Sequence, residues 1–167
     1  MIRRIIRSSE VVMQKGFASA EVIVAALIIS LLITVAVPNA AELVDRAAVK
    51  YEQKRFYGEL QFVRTLNRAA VVSSAGFDTK LTDNNQAMME IDRTANSYRI
   101  LRDEKEIRES HYLSNGVTFS AETDVPERIW FDASGYSNVT SKTIVLTSRR
   151  GHKAKIIFDS VGRIRGE

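Results

Sequence analysis

The chain contains an apolar run over residues 22–41 in which no side chain is charged. A helix of twenty residues spans roughly 30 Å, the hydrocarbon thickness of a bilayer, and satisfies its backbone hydrogen bonds internally. A cleaved secretory signal is the alternative, but its apolar part is usually only about 7–15 residues long. Thr34-Val35-Ala36 is a poor match to the small-x-small site that such a signal needs. The pattern therefore predicts a retained transmembrane helix.

The apolar periodicity does not stop after this run. Apolar residues recur at steps of three and four and predict a helix continuation over residues 42–75 that packs on a folded domain. They are Leu43, Ala47, Ala48, Tyr51, Phe56, Leu60, Val63, Leu66 and Ala70. Pro38 removes one backbone hydrogen bond and is expected to kink or loosen the helix. A coiled-coil rod is less consistent with the sequence, because the heptad spacing lasts only about two turns.

Beyond Gly76 the helical period gives way to short strand-like runs separated by turn residues. The predicted strands are Met88–Ile91, Tyr98–Leu101, Ile107–Leu113, Val117–Ser120, Ile129–Phe131, Thr143–Thr147 and Ala154–Phe158. The predicted turns are Asp83-Asn84-Asn85, Ser114-Asn115-Gly116, Ala133-Ser134-Gly135 and Arg150-Gly151. This order predicts an α+β fold, in which residues 76–167 form antiparallel sheets against the second half of the helix.

Composition changes this picture little. At 167 residues, with 26% charged and 45% hydrophobic side chains, the chain has about one domain of ordinary globular composition beside its apolar segment. The absence of cysteine excludes thiolate zinc sites, thiol catalysis and disulfides. Arg3, Arg4, Arg7 and Lys15 precede the apolar run and predict that the amino end faces the cytoplasm and the domain lies outside the membrane.

Charge is unevenly distributed in the second half of the chain. Residues 78–132 carry twelve acidic against seven basic side chains, whereas residues 142–167 carry seven basic against two acidic ones. Arg149, Arg150, Lys153 and Lys155 flank a predicted turn, and Arg163 and Arg165 share one face of a final extended segment. These six side chains are candidates for contact with DNA phosphates. The alternative is that they form ion pairs with the acidic middle segment.

Catalytic and metal-binding patterns are not evident. His111 and His152 have no second ligand at a helical or hairpin spacing, and no nucleotide or nucleophile motif is present, so neither a metal, a cofactor nor an enzymatic activity is expected. Asp103, Glu104, Glu106 and Glu109 alternate with Arg102, Lys105 and Arg108, which favours a solvated hairpin edge over paired catalytic carboxylates. Trp130 and Phe131 are either a stacking platform for a nucleobase or, more simply, one core and one half-exposed ring.

The amino-terminal residues resemble those of a type IV prepilin. The resemblance rests on Lys15-Gly16-Phe17, on Glu21 four residues after Phe17, and on Pro38 within the apolar run. It implies a leader over residues 1–16, cleavage between Gly16 and Phe17 by a prepilin peptidase, N-methylation of Phe17, and a transmembrane helix over residues 17–41. Glu21 and Pro38 would serve assembly. Ala18-Ser19-Ala20 departs from the usual Thr-Leu-Ile of the family.

The carboxyl-terminal third resembles the domain of minor pilins of the GspH/FimT family. The stretches LSNGVTFS, IWFDASGYSN and TIVLTSRRGHKAKIIFDSVGRIR carry this resemblance, with Gly162, Arg163 and Arg165 in a closing Gly-Arg-x-Arg pattern. The competence pseudopilin ComGD ends similarly, and residues 76–112 resemble nothing known to us. The resemblance implies a type IV pilin-like fold and a subunit of a pilus-like filament in the inner membrane, with other pilins as partners. It implies type II secretion first, and DNA uptake in competence as the alternative.

Overall fold

A computed structural model gives the structure of residues 3–73, 86–114 and 116–167, with helical side chains placed from residue 20 to residue 70. The predicted turn Asp83-Asn84-Asn85 and the middle residue of Ser114-Asn115-Gly116 lie outside these described residues. The chain divides into two compact units, Met1–Leu43 and Val44–Glu167.

One helix, α1, runs over Arg3–Ser73 and continues through Pro38. Its backbone includes the predicted leader from residue 3 onward, as well as the predicted continuation beyond the apolar run. The part within the second unit is rich in Ala, Glu, Gln, Lys, Arg and Leu, which have high helix propensity. The helix is continuous through Pro38, the position at which a kink or loosening is predicted.

Eight strands follow the helix. They are β1 Ala87–Asp92, β2 Ser97–Arg102, β3 Lys105–Tyr112, β4 Thr118–Phe119, β5 Arg128–Trp130, β6 Thr143–Thr147, β7 Lys153–Phe158 and β8 Ile164–Gly166. The first seven overlap the seven predicted strands. The eighth covers part of the final extended segment, whose three residues are too few to give a periodic pattern.

The strands form two antiparallel sheets. The first sheet has the order β3-β2-β1-β5 and the second sheet has the order β4-β6-β7-β8. In the first sheet, Met89 is paired with Ile100 on one side and with Ile129 on the other. The α+β layout of a long amino-terminal helix followed by antiparallel sheets is thus confirmed.

A single core joins the second part of the helix to both sheets. Val49, Phe56, Leu60 and Val63 of α1 are buried in it. From the first sheet it receives Met89, Ile91, Tyr98, Ile100, Ile129 and the adjoining Phe131, and from the second Phe119, Ile144, Leu146, Ala154, Ile156, Phe158 and Ile164. The sheets therefore pack on the second part of the helix, as predicted.

The predicted apolar face of the helix is wrong at three positions, Leu43, Ala47 and Tyr51, whose side chains are exposed. Tyr51 is 57% exposed and Leu43 is 66% exposed. Successive helical residues are about 100° apart, so Tyr51 lies about 200° from the buried Val49 and points away from the core. Its place on the buried side is taken by the polar residues Glu52 and Gln53. An apolar residue was therefore misassigned because polar side chains occupy part of the core-facing stripe.

Gly162 closes the turn between β7 and β8 against the loop that follows β5. Its φ is 75°, and a Cβ added there would lie 2.7 Å from the Ser137 nitrogen and 2.8 Å from the Ser137 oxygen. The Gly162 oxygen accepts a hydrogen bond from the Ser137 N–H at 3.2 Å. The turn thus requires a glycine for two reasons, its positive φ and the closeness of a neighbouring backbone.

We expect Gly162→Ala to lower the free energy of unfolding by about 2 kcal/mol, because it combines left-handed strain with a backbone clash. Gly151→Ala is the matched control, since Gly151 also has a positive φ of 83° but no atom lies within 4 Å of its added Cβ. That control should cost only about 1 kcal/mol. Urea unfolding of the full chain in non-ionic detergent, followed by fluorescence of the single Trp130, measures both. Equal losses would contradict the close-packing argument.

Candidate functional site

The first unit exposes the apolar part of α1. Every side chain from residue 20 to residue 40 is exposed, and Val22 and Leu31 are 67% and 68% exposed. This stretch makes α1 long and apolar enough to cross a membrane, on the basis of its length and composition. So much contiguous apolar surface is unusual for a soluble protein and indicates a covering environment or partner.

Polar side chains within this stretch bond to the helix itself. The Ser30 hydroxyl donates to the Ala26 oxygen at 2.8 Å, and the Thr34 hydroxyl donates to the Ser30 oxygen at 2.7 Å. The Asn39 amide likewise donates to the Val35 oxygen at 3.1 Å. These donors therefore have partners without water, as an apolar environment requires.

The proposed processing junction lies on the same helix. The backbone of Gly16 and Phe17 is helical, while their side chains lie outside those described. Glu21 is exposed, and it forms no ion pair with any side chain described from residue 20 onward. Glu21 is the one acidic residue in 20–41. Its carboxylate is thus available at the start of an apolar segment.

Polar side chains of α1 anchor both sheets in the second unit. The fully buried Glu52 carboxylate accepts hydrogen bonds from the Ser114 N–H at 3.1 Å and from the Ser114 hydroxyl, and its second oxygen lies 2.9 Å from His111 Nε2. The Gln53 amide donates to the Lys155 and Glu167 oxygens, both at 2.6 Å. Two adjacent residues on one turn of the helix therefore contact the end of β3 and the β7–β8 ladder.

Two further polar residues extend this anchoring along the helix. Asp45 accepts a hydrogen bond from the Ser148 hydroxyl at 2.5 Å and from the Arg150 N–H at 3.3 Å. Asn67 is fully buried and bonds to Ala87 and Phe131. None of these four polar anchors is predicted by the apolar pattern of the sequence. Two of them carry a signal in the sequence. Glu52 lies four residues before Phe56 and Asn67 lies four residues after Val63, so both continue the apolar stripe at helical spacing.

The six predicted basic residues are all exposed but do not form one cluster. Arg149 and Arg150 lie at the β6–β7 turn beside Asp45, at the opposite end of β7 from Arg163. Arg163 donates from Nε to Asp159 Oδ2 at 2.9 Å, and the Lys153 ammonium lies 2.6 Å from Glu122 Oε2. Two of the six, Lys153 and Arg163, are thus paired with nearby carboxylates, and two more, Arg149 and Arg150, lie in a turn.

Lys155 and Arg165 are brought together on the exposed face of the second sheet. Lys155 pairs through its backbone with Glu167, and Arg165 is opposite Ile157 on β7. The two basic side chains are therefore diagonal neighbours on one face. Lys155 has no ion-pair partner among the described residues, and Arg165 Nε lies 4.0 Å from Glu167 Oε1. Arg163 and Arg165 flank the buried Ile164 and share the exposed side, as predicted.

The remaining candidates take structural positions. The acidic cluster forms the solvated β2–β3 hairpin at the edge of the first sheet, as expected. Phe131 is buried and Trp130 is half-buried, which agrees with the prediction of one core ring and one half-exposed ring. Within residues 20–70, 86–114 and 116–167, no group of three His, Asp or Glu side chains could hold a metal ion.

The Glu90 carboxylate forms ion pairs with arginines on both neighbouring strands of the first sheet. Glu90 Oε2 lies 2.5 Å from Arg99 Nη2, and Glu90 Oε1 lies 3.0 Å from Arg128 Nη2. Partial burial acts to raise the pKa of Glu90, but the hydrogen bonds from both guanidiniums outweigh it and hold that pKa below its ordinary value. The Glu90 carboxylate therefore stays ionised near neutral pH, and its ion pairs join β1 to β2 and to β5.

Comparisons of the chain with protein-family models, with curated proteins and with solved structures found no match.

Proposed function

We propose that the chain is a membrane-anchored minor pilin or pseudopilin, a structural subunit of a type IV pilus-like filament. The observation that carries the proposal is the combination of Lys15-Gly16-Phe17 and Glu21 with the exposed apolar helix that follows them. In this proposal the helix is held in the inner membrane before assembly and packs against other pilin subunits afterwards. The amino end lies in the cytoplasm and the β-rich domain lies outside, and the machine served is a type II secretion system.

The position of Glu21 gives this proposal a mechanism. A carboxylate at the edge of hydrocarbon costs roughly 2–3 kcal/mol unless it finds a partner. Cleavage after Gly16 would create a positive amine at Phe17, one helical turn away in sequence and accessible to a neighbouring subunit. The positive end of its own helix would stabilise Glu21 by less than about 1 kcal/mol. Pairing between subunits would therefore neutralise the carboxylate and fix the axial register.

Processing provides the test of this proposal. Co-expression with a prepilin peptidase should shorten the chain by its first sixteen residues, and Gly16→Val should abolish the shortening because the small residue before the cut is lost. Ala18→Val is the matched control, because it adds the same branched side chain two residues after the cut. Gel mobility and peptidase dependence report the result. Processing that persists in Gly16→Val would contradict the proposal.

A second candidate function is DNA contact during competence, of the FimT/ComGD kind. The observation that favours it is the exposed pair Lys155 and Arg165, of which the first has no ion-pair partner among the described residues. Extended neighbouring strands would present these cations to successive phosphates. Because such binding releases counterions, its affinity should fall linearly with salt on a double-logarithmic plot.

Paired substitutions test the DNA contact. Lys155→Gln with Arg165→Gln should weaken binding to duplex DNA and reduce the salt slope by about two, one for each phosphate contact. Lys153→Gln with Arg163→Gln is the matched control, because both cations are already engaged by Glu122 and Asp159. A filter or fluorescence binding assay with the full chain in detergent measures both variants. Equal weakening by the two pairs would contradict a specific role for Lys155 and Arg165.

A further inference from the structure

The turn between β6 and β7 is held against the first residues of α1 in the second unit. Asp45 accepts hydrogen bonds from the Ser148 hydroxyl at 2.5 Å and from the Arg150 N–H at 3.3 Å. Within the turn, the Ser148 N–H donates to the His152 oxygen at 2.8 Å, and the Gly151 N–H donates to the Ser148 oxygen at 3.0 Å. The turn therefore has a defined shape and a fixed position beside Asp45.

Asp45 is close in sequence to the apolar run. It follows Ala41, the last residue of that run, by four positions, and four residues reach at most about 14 Å in any conformation. Leu43 and Val44 are exposed, so the exposed apolar surface continues up to Asp45. The headgroup layer on each side of a bilayer is roughly 5–8 Å thick. When the apolar run spans a membrane, Asp45 therefore lies no more than about 10 Å, one Debye length, above the headgroups.

The charged side chains at this end of the second unit are mostly basic. Five basic residues lie against three acidic ones, and they are Arg46, Lys50, Arg149, Arg150 and Lys153 against Glu42, Asp45 and Glu122. Lys153 is paired with Glu122. Lys50 and Arg150 are exposed, and neither has an ion-pair partner among the side chains that the structure describes. An excess of two positive charges therefore remains, and two cations are available to a partner.

The position and the charge of this surface together favour one partner. A guanidinium binds phosphate through paired N–H donors, and each Lys or Arg near an anionic membrane surface adds to the attraction. We propose that the β6–β7 turn and Lys50 contact the phosphates of anionic lipid headgroups, with Arg150 as the main contact. The chain connection to the apolar run favours lipid over nucleic acid, because it keeps the turn at the bilayer. The inference rests on the membrane anchor of the proposed function but not on processing as a pilin.

The test uses the full chain in isotropic lipid bicelles and follows the NMR signal of the Gly151 amide, at the exposed tip of the turn. Phosphatidylglycerol replaces phosphatidylcholine in steps, at constant total lipid and constant ionic strength. We expect the Gly151 signal to shift saturably with the fraction of phosphatidylglycerol, and added salt should weaken this response. The amide of Gly135, which lies beside Arg64 much further along α1, should not respond.

Paired substitutions separate a local contact from general charge. Lys50→Gln with Arg150→Gln should raise the fraction of phosphatidylglycerol at half-saturation about tenfold, because two cations near the surface are lost. Arg68→Gln with Lys105→Gln is the matched control, since it removes one exposed residue of each type. Arg68 is roughly 35 Å beyond Asp45 along the helix, and the hairpin that holds Lys105 contacts the same end of α1. The control should change half-saturation by less than about twofold, and equal effects of the two pairs would overturn the proposal.

Insertion of the helix is measured in the same samples. A lipid with a spin label in its acyl chain should broaden the amide signals of residues 22–41. Absence of that broadening would overturn the membrane anchor and this inference with it. Broadening without a shift of Gly151 would overturn this inference alone. Duplex DNA added to phosphatidylcholine bicelles should leave Gly151 unshifted, and a shift at the same phosphate concentration as large as that with lipid would overturn the proposal in favour of a nucleic-acid contact.

Discussion

Phe56→Ala is expected to lower the free energy of unfolding by about 4 kcal/mol, because it removes a fully buried aromatic ring and leaves a cavity. The ring of Phe56 lies where the helix meets both sheets, with centroids 5.0 Å from Tyr98 and 6.0 Å from Phe119. Such edge-on pairs add to the stabilisation from burial alone. Loss of this ring should therefore weaken the packing of β2 and β4 on α1 together.

Phe62→Ala provides the matched control on the same helix. Phe62 is 36% exposed and its ring carries the Arg108 guanidinium at 4.8 Å. We expect its removal to cost about 1 kcal/mol, from partial burial and an exposed cation–π contact. Urea unfolding in detergent, followed by Trp130 fluorescence, measures both variants. Equal effects of the two substitutions would contradict the central position of Phe56.

Asn67→Leu is expected to lower the free energy of unfolding by about 3 kcal/mol, because it leaves buried backbone groups without partners. The Asn67 amide donates to the Ala87 and Phe131 oxygens at 2.9 Å each, and its oxygen accepts from the Ala87 N–H at 2.8 Å. The β1–β5 ladder ends at the pair Met88 and Trp130. The side chain of Asn67 therefore joins the two strands one residue beyond the point where their ladder stops.

Gln61→Leu is the comparison for Asn67→Leu. Gln61 is a half-exposed amide on the same helix whose side chain makes no hydrogen bond to a described residue. Its replacement should change stability by less than about 0.5 kcal/mol. Native-state hydrogen exchange adds a local measurement, because the Ala87 amide should lose protection in Asn67→Leu alone. Retained protection at Ala87 would contradict the role assigned to Asn67.

Much of the fold could be predicted from periodicity. Residues Thr143–Thr147 form a short run of β-branched and apolar side chains, and the strand occupies those five residues. The helix could be predicted because its apolar run is long enough to span a bilayer and because the stripe from Phe56 to Val63 follows helical spacing. The strand β8 was missed because three residues beside a glycine turn carry too little pattern.

The anchors of the helix could not be predicted in the same way. Polar residues such as Glu52 and Asn67 are usually exposed, so a pattern argument assigns them to the solvent side. Their burial depends on partners that are 20 or more residues away in sequence, namely Ser114 and His111 for Glu52, and Ala87 and Phe131 for Asn67. Long-range hydrogen bonds of this kind appear only when the fold brings the groups together.

The basic residues show which structural features the spacing of a sequence motif predicts and which it does not. In the closing Gly-Arg-x-Arg pattern, Gly162 is needed by its turn and Arg163 is paired with Asp159. Arg165 has only a distant interaction, at 4.0 Å from Glu167. Sequence spacing correctly placed the two arginines on one side, but it did not distinguish the paired side chain from the more available one.

The identity of the mature amino terminus tests the central proposal most directly. The chain should be extracted from membranes of cells that contain a prepilin peptidase, and its amino-terminal peptide should be analysed by tandem mass spectrometry. We predict a chain that begins at Phe17 and carries an N-methyl group on that residue. Recovery of intact Met1 from such cells, or of a chain that begins near Asn39, would contradict the proposal that this protein is processed as a pilin.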